Sequence, residues 1–215
     1  MDTLYKVIIV LVPMILSLTV HEFAHAWSAY KLGDDTAKRM GRLTLNPGPH
    51  IDILGTLILP ILLTIQGSGF FFGWAKPVPI NPVNFRRGIS MRKGDILTAV
   101  AGPLSNVLIA LIVSGIYIGS LRFGLMSAGN PVLEFLRTMF FLNIALAVFN
   151  MIPVPPLDGH YLLPEGIKAK MRQYQMFIFI ALILAINFAS DFMAKPIFFV
   201  ANAMGAFWTL IFGGY

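Results

Sequence analysis

Cysteine is absent from the 215-residue chain, and charged residues are scarce. Without cysteine the chain forms no disulfide and offers no thiolate, so a zinc ion could bind only through nitrogen and oxygen atoms. Asp, Glu, Lys and Arg make up only 12% of the residues, whereas hydrophobic residues make up 57%. This composition excludes an ordinary soluble domain. It predicts an all-α polytopic membrane protein, with one integral membrane domain over residues 1–215 and the lipid bilayer around it.

Apolar runs predict where the chain crosses the membrane. A span needs about 20 predominantly apolar residues, and five runs approach or exceed that length: 4–30, 96–119, 132–152, 174–190 and 196–213. We expect the charged residues Asp191 and Lys195 to lie in the turn between the last two runs. Residues 51–65 are apolar but short, and Gly55 and Pro60 interrupt them. This favours a re-entrant segment over a sixth span.

The stretch that follows the short run is rich in proline. Pro77 and Pro79 flank Val78. Proline lacks an amide hydrogen and disfavours helix in the residue before it, so residues 74–81 are expected to be extended. At membrane depth such a backbone is tolerated only where it lines a cavity or is buried in protein. We therefore expect a re-entrant or extended segment near residues 51–82 and five to six transmembrane helices in all.

The distribution of basic residues predicts the orientation in the membrane. Residues 31–95 hold nine of the sixteen Lys and Arg residues, and residues 153–174 hold three more. If 51–65 is re-entrant, all twelve lie on one side, which the positive-inside rule makes cytoplasmic. The N-terminus would then be outside and the C-terminus cytoplasmic. We accordingly assign the net charge of +6 to cytoplasmic loops and expect no nucleic-acid partner.

His21, Glu22 and His25 form the pattern H-E-x-x-H inside the first apolar run. Residues four apart share one face of a helix, so the two imidazoles can bind one cation. A carboxylate beside them can act as general base on a water molecule that the metal activates. An ionisable residue costs on the order of 2.5–3.5 kcal/mol within a membrane helix, so three together indicate a functional site. The alternative is two core histidines with a glutamate near a helix end.

Two histidines do not complete a catalytic zinc site, which usually has three protein ligands and a water. Asp158 is the favoured third ligand, because it follows an apolar helix in a stretch fixed by three prolines and released by Gly159. An Asp-Gly pair is also an ordinary turn at a helix exit. For His50 and His160 we expect a loop hydrogen bond or a supporting contact rather than direct ligation. The remaining candidates are Asp52, Asn143 and Asn150.

Together these motifs resemble those of the site-2 protease family of intramembrane zinc metalloproteases, in its compact prokaryotic form without a PDZ or CBS domain. The first matching motif is His21-Glu22-x-x-His25, and the second is Asn150-x-x-Pro153-x-Pro155-x-Leu157-Asp158-Gly159. Further similar stretches are Gly41 to Pro47, Gly73 to Pro82 and Ala101 to Asn106. The resemblance covers residues 15–165, within a catalytic core of 1–165. The two C-terminal helices, 174–213, carry no motif.

The resemblance implies hydrolysis of peptide bonds within the membrane, in transmembrane protein substrates. One Zn²⁺ per chain would bind to His21, His25 and Asp158, and Glu22 would be the general base. The predicted substrate contacts are Trp74, Pro79, Asn81 and Asn150, and the candidates for supporting the ligands are His50, Asn106 and His160. The protein is expected in the inner membrane of a prokaryotic cell, with its active site towards the cytoplasmic side.

A different class of function is a non-proteolytic metal-binding membrane protein, either a transporter or a membrane chaperone. Many transporters contain two halves with matching broken helices, whereas the halves of this sequence differ. A catalytically silent relative would usually lose the glutamate, and Glu22 is present. The protease is therefore the favoured hypothesis, and the sequence leaves the oligomeric state open.

Overall fold

The computed structural model describes residues 3–67, 73–127, 129–188 and 190–213, and no strand occurs among them. The α-helices of this part are α1 Thr3–Leu32, α2 Thr36–Arg39, α3 Leu59–Ile65, α4 Met91–Arg122, α5 Pro131–Asn150, α6 Glu165–Gln173, α7 Gln175–Phe188 and α8 Ser190–Ile211. A π-helical turn covers Ile53–Ile58, and 3₁₀ turns cover Gly48–His50, Pro82–Asn84 and Asp158–Leu162. The expected all-α polytopic fold is confirmed.

Four helices in the described ranges are long and apolar enough to cross a membrane: α1, α4, α5 and the Met193–Ile211 part of α8. They match four of the five predicted runs. The fifth run, 174–190, contains α7, whose 14 residues are fewer than the about 20 of a full span. The predicted turn at Asp191 and Lys195 is wrong, because both residues lie within α8. Isolated charged residues do not by themselves end a helix.

Helices α1, α4 and α5 contact one another and form the centre of the bundle. His21 of α1 contacts Asn106 of α4. His25, further along α1, contacts Thr98, which lies nearer the start of α4, so the two helices are antiparallel. The C-terminal half of α1 therefore lies beside the N-terminal half of α4.

Helix α5 runs parallel to α1. Tyr5, near the start of α1, donates a hydrogen bond to Glu134, near the start of α5. Further along both helices, Ser17 accepts a hydrogen bond from Asn143. The end of α5 therefore lies at the same end of the bundle as the C-terminal half of α1. This brings the loop that contains Asp158 to the histidine motif.

Residues 51–67 leave one end of the bundle, and residues 73–75 lie at that same end again. The π-helical turn and α3 form a continuous apolar helix, Ile53–Ile65, too short for a full span. The amide of Lys76 donates to the carbonyl of His50 at 2.9 Å, so the two ends of the segment are adjacent. The amide of Trp74 donates to the carbonyl of Gly55 and holds the returning chain against the short helix. The segment is therefore re-entrant, as its length and composition predict.

Asp34 fixes the returning segment to the end of α1. Its side chain is fully buried, and its Oδ2 accepts a hydrogen bond of 2.7 Å from the amide of Asn81. Its Oδ1 accepts from the amide and hydroxyl of Thr36 and from Nδ2 of Asn84. Burial opposes the charge, but these hydrogen bonds hold the pKa of the Asp34 carboxyl below its usual value. One ionised carboxylate thus joins three parts of the chain.

Replacing Asp34 by Asn should lower the free energy of unfolding by about 1–3 kcal/mol, because a buried amide NH₂ would face N–H donors. The matched control is Asp35→Asn. The Asp35 carboxylate is 49% exposed and pairs with Arg39 at the surface, so its loss should change stability by no more than about 0.5 kcal/mol. Melting temperatures of the detergent-purified variants make the comparison. Equal losses in the two variants would contradict the anchoring role of Asp34.

Cysteines introduced at Lys38 and Arg87, on this naturally cysteine-free background, should react with a membrane-impermeant thiol reagent from the same side of the membrane. The two positions lie before and after the re-entrant segment. Labelling in sealed right-side-out and inverted vesicles makes the measurement. Reaction from opposite sides would mean that residues 51–65 cross the bilayer.

Candidate metal centre and active site

The side chains of His21, His25 and Asp158 converge between α1 and the turn that follows α5. The Nε2 atoms of the two histidines are 3.0 Å apart. Oδ2 of Asp158 lies 3.2 Å from Nε2 of His21 and 3.3 Å from Nε2 of His25. Both histidines are buried and Asp158 is partly buried. The structure therefore brings together the three residues that are predicted as metal ligands.

The other ring nitrogens decide which atoms face this centre. Nδ1 of His25 lies 2.7 Å from the carbonyl oxygen of Thr98, which can only accept, so Nδ1 carries the hydrogen. Nδ1 of His21 lies 2.7 Å from Oδ1 of Asn106, and donates to it in the same way. Both Nε2 atoms then present lone pairs to the centre.

The centre has the dimensions of a tetrahedral cation site. Bonds of about 2.0–2.1 Å from zinc to nitrogen and oxygen place tetrahedral ligand atoms roughly 3.3–3.4 Å apart, close to the separations of 3.0, 3.2 and 3.3 Å found here. Oδ2 of Asp158 is buried and has no hydrogen-bond partner among the described residues. Three acceptor atoms that face one another repel unless a cation lies between them. Two imidazoles and a carboxylate suit Zn²⁺.

Glycine at position 102 allows α4 to approach the histidines. A Cβ atom there would lie 2.3 Å from Nε2 of His25 and 2.7 Å from Cε1 of His21. A larger residue would therefore displace both rings. The small residues from Ala101 to Asn106 predict a close helix approach, and the structure shows that this approach forms the wall behind the ligands.

Glu22 lies beside the ligands and contacts the extended segment. Its Oε2 accepts a hydrogen bond of 2.8 Å from the amide of Val78. Glu22, His25 and Asp158 line a cleft of about 360 Å³, and Pro77 and Val78 form part of its wall. Residues 73–81 carry no regular secondary structure, and the extended segment thus lies along the opening to the metal centre.

The two remaining histidines lie apart from the metal cluster. Nε2 of the buried His50 is 2.9 Å from the carbonyl of Thr44. Nδ1 of His160 is 2.6 Å from the carbonyl of Leu157. Both side chains therefore bond to nearby backbone carbonyls, and His160 lies on the same 3₁₀ turn as Asp158.

The predicted substrate contacts have other neighbours in this structure. The ring of Trp74 packs on Gly55, where a Cβ atom would lie 2.3 Å from it. The amide of Asn81 binds Asp34, and the side chain of Asn150 donates to the carbonyl of Leu146 in its own helix. None of these, nor Pro79, is among the residues that line the cleft in the described ranges. Their role in substrate binding stays a prediction.

Several residues that line the cleft were missed by the sequence analysis: Asp95, Thr98, Tyr161 and Arg172. Tyr161 carried a weak signal, because it lies three residues after Asp158 on the same 3₁₀ turn. Thr98 supports His25 through its carbonyl. Such a backbone contact cannot be predicted from a sequence pattern, because it does not depend on the residue type. Asp95 and Arg172 are brought to the cleft by the antiparallel packing of α4 and by the short α6, neither of which a local motif indicates.

Comparison with known proteins agrees with this site. The family model described as "Peptidase family M50" matches residues 118–190. A Bacillus subtilis protein named "Putative zinc metalloprotease YwhC" is 39% identical over 180 residues, which cover 80% of this chain and 77% of that protein. A Mycolicibacterium smegmatis protein named "Putative zinc metalloprotease Rip2" is 28% identical over 84% of this chain and 67% of its own length.

The Rip2 protein of Mycobacterium tuberculosis is 26% identical over 83% of this chain. No solved structure matches the chain. The family model covers Asp158, and the similarity to YwhC extends over four fifths of the sequence. The resemblance that the motifs of the sequence indicate is therefore confirmed, and the chain belongs to peptidase family M50, the family of the site-2 proteases.

Proposed function

We propose that this protein is an intramembrane zinc metalloendopeptidase that hydrolyses peptide bonds within or near transmembrane segments of other proteins. The observation that carries the proposal is the convergence of His21, His25 and Asp158, whose three acceptor atoms lie at the separations of ligands to one cation. The names of the relatives describe zinc metalloproteases, which favours Zn²⁺. The alternative of a transporter or a membrane chaperone is not favoured, because the family is one of peptidases.

His21, His25 and Asp158 would hold the zinc ion, one per chain. A zinc ion bound there would polarise the scissile carbonyl and acidify a water molecule. The hydrogen bonds to Asn106 and Thr98 keep the two imidazoles oriented, as supporting contacts do for histidine ligands in general. Gly102 leaves room for both rings.

Glu22 is the proposed general base. The Val78 amide holds its Oε2, whereas its Oε1 accepts no hydrogen bond from the described residues and is left for a water in the cleft. The carboxylate takes a proton from the attacking water and transfers it to the leaving amine. Because Glu22 directly follows His21 in the sequence, the proposed base and a proposed metal ligand lie on the same turn of α1.

The proposed substrate is a transmembrane segment that is unwound where it is cut, because a peptide bond inside a helix is shielded. Backbone groups of Trp74, Lys76 and Val78 form hydrogen bonds with other segments of the chain. The carbonyls of Pro77 and Pro79, which alternate with them, accept no hydrogen bond from the described residues. Successive peptide groups of an extended chain point to opposite sides, so these carbonyls are available to an added substrate strand.

We propose that the site is near the cytoplasmic side of the inner membrane of a prokaryotic cell. Twelve of the sixteen Lys and Arg residues lie in segments 31–95 and 153–174. The hydrogen bond that joins His50 to Lys76 and the parallel packing of α1 and α5 are compatible with one location for both segments. The positive-inside rule makes that side cytoplasmic.

Glu22→Gln should retain about one zinc per chain but lose at least 10²–10⁴-fold in cleavage rate, because the amide cannot act as a base. Asp158→Ala should lose zinc and activity together, because it removes a metal ligand. The measurements are zinc content of purified protein and cleavage of a panel of co-expressed single-span membrane proteins. Cleavage by Glu22→Gln at the wild-type rate would contradict the proposed mechanism.

His160→Ala serves as the contrasting variant for the third ligand. Since Nδ1 of His160 bonds to the carbonyl of Leu157, the variant should keep most of its zinc while the His21→Ala and His25→Ala double variant keeps little. The zinc content per chain of each purified variant is the measurement that identifies the third ligand. Loss of zinc from His160→Ala together with full zinc in Asp158→Ala would assign the third ligand to His160 instead.

A further inference from the structure

We propose that Asn143 is a positioning residue of the metal site, which fixes the ring tautomer of His21 through Asn106. The inference rests on the proposed zinc site and extends it two residues away from the ligands. It is carried by a line of hydrogen bonds that joins α1, α4 and α5 in the interior of the bundle. Its members Ser17, Asn106 and Asn143 are each 0% exposed.

The contacts of Asn143 determine which atoms donate and which accept along this line of hydrogen bonds. Nδ2 of Asn143 donates to the carbonyl of Met139 at 2.8 Å and to Oγ of Ser17 at 2.8 Å. The Met139 carbonyl can only accept, so the NH₂ group of Asn143 must face it. Oδ1 of Asn143 then faces Asn106, and it accepts from Nδ2 of Asn106 at 3.1 Å.

The orientation of the Asn143 amide in turn fixes the orientation of the Asn106 amide, which contacts His21. Because its NH₂ group is engaged by Asn143, its Oδ1 faces His21, 2.7 Å from Nδ1. Nδ1 must therefore carry the hydrogen, and Nε2 keeps the lone pair that faces Asp158 and His25. The tautomer of His21 is thus fixed by a backbone carbonyl of α5 through two amide side chains.

His25 shows why Asn143 is needed. Nδ1 of His25 contacts the carbonyl of Thr98 directly, and a carbonyl cannot reverse its polarity. The amide of Asn106 can, because its oxygen and nitrogen are similar in size and a half-turn exchanges them. A reversed Asn106 would donate to Nδ1 of His21 and leave the hydrogen on Nε2, where it opposes a cation. Asn143 is the residue that prevents this reversal.

Asn143→Leu should weaken zinc binding 10–100-fold, the range typical for residues that orient a histidine ligand. The quantity measured is the zinc dissociation constant of the metal-free, detergent-purified protein, by competition with a chromophoric chelator. Ser114→Ala is the control variant. Ser114 is also buried and donates to a backbone carbonyl of its own helix, that of Leu111 on α4. No hydrogen bond joins it to Asn106 or Asn143 among the described residues, so the zinc dissociation constant of Ser114→Ala should equal that of the wild type.

A second background separates tautomer control from packing. In Asn106→Asp both side-chain oxygens accept, so the residue holds the hydrogen on Nδ1 of His21 in either orientation. Adding Asn143→Leu to Asn106→Asp should therefore cost less than threefold in zinc affinity, because the hydrogen on Nδ1 of His21 then no longer depends on residue 143. If Asn143→Leu does not fold, Asn143→Ala replaces it, with Ser114→Ala again as the control, and the same pattern is expected.

Two results would overturn the inference alone: wild-type zinc affinity in Asn143→Leu, or an equal loss from Asn143→Leu in both backgrounds, which would assign Asn143 to packing. A wild-type protein that binds no zinc would instead overturn the proposed function together with this inference. Loss of zinc affinity in the wild-type background, no such loss in the Asn106→Asp background and an unchanged Ser114→Ala variant together establish the tautomer control.

Discussion

Burial of polar atoms in an apolar helix bundle is the constraint on which the rest of this structure depends. His21, Glu22 and His25 lie within α1, at most 8% exposed, where an unpaired polar group is costly. The surrounding elements satisfy them one by one: Asn106 and the Thr98 carbonyl bind the two imidazoles. The Val78 amide binds the carboxylate. What stays unsatisfied is the group of acceptors that face one another, and these form the candidate metal site.

The same constraint explains the extended segment. A backbone without secondary structure is unusual at membrane depth and needs hydrogen bonds from the protein. Amides of residues 73–81 donate to the backbone carbonyls of His50 and Gly55 and to the carboxylates of Glu22 on α1 and Asp34 just after it. The segment that borders the cleft is therefore hydrogen-bonded to Glu22, the proposed general base. Movement of this segment and orientation of the Glu22 carboxylate are physically coupled.

The sequence predicts the parts of this structure that local patterns encode. The length of the apolar runs gives α1, α4, α5 and α8. The interrupted run 51–65 gives the re-entrant segment. The four-residue spacing of His21 and His25 places both rings on one face of a helix, and the prolines on either side of Val78 exclude helix there. Asp158 could be named because its motif resembles a known family.

The contacts between distant helices could not be predicted, because they depend on packing. Nothing near Asn143 in the sequence indicates that its amide faces Asn106 on α4. The carbonyl of Thr98 and the amide of Val78 act through the backbone, which is the same for almost every residue. Nothing in the sequence around Asp34 indicates its role, and only the contacts of Asn81 and Asn84 with its carboxylate make it an anchor.

X-ray absorption spectroscopy at the zinc edge of the purified protein would test whether His21, His25 and Asp158 bind the zinc ion, because it reports the ligand atoms themselves. We expect two imidazole nitrogens at about 2.0–2.1 Å, carboxylate and water oxygens at about 2.0–2.2 Å, and no sulfur. Replacing Asp158 by Ala should abolish that spectrum. A spectrum with three or more imidazoles, or one that is unchanged in the His21→Ala variant, would contradict the claim that His21, His25 and Asp158 form the metal centre.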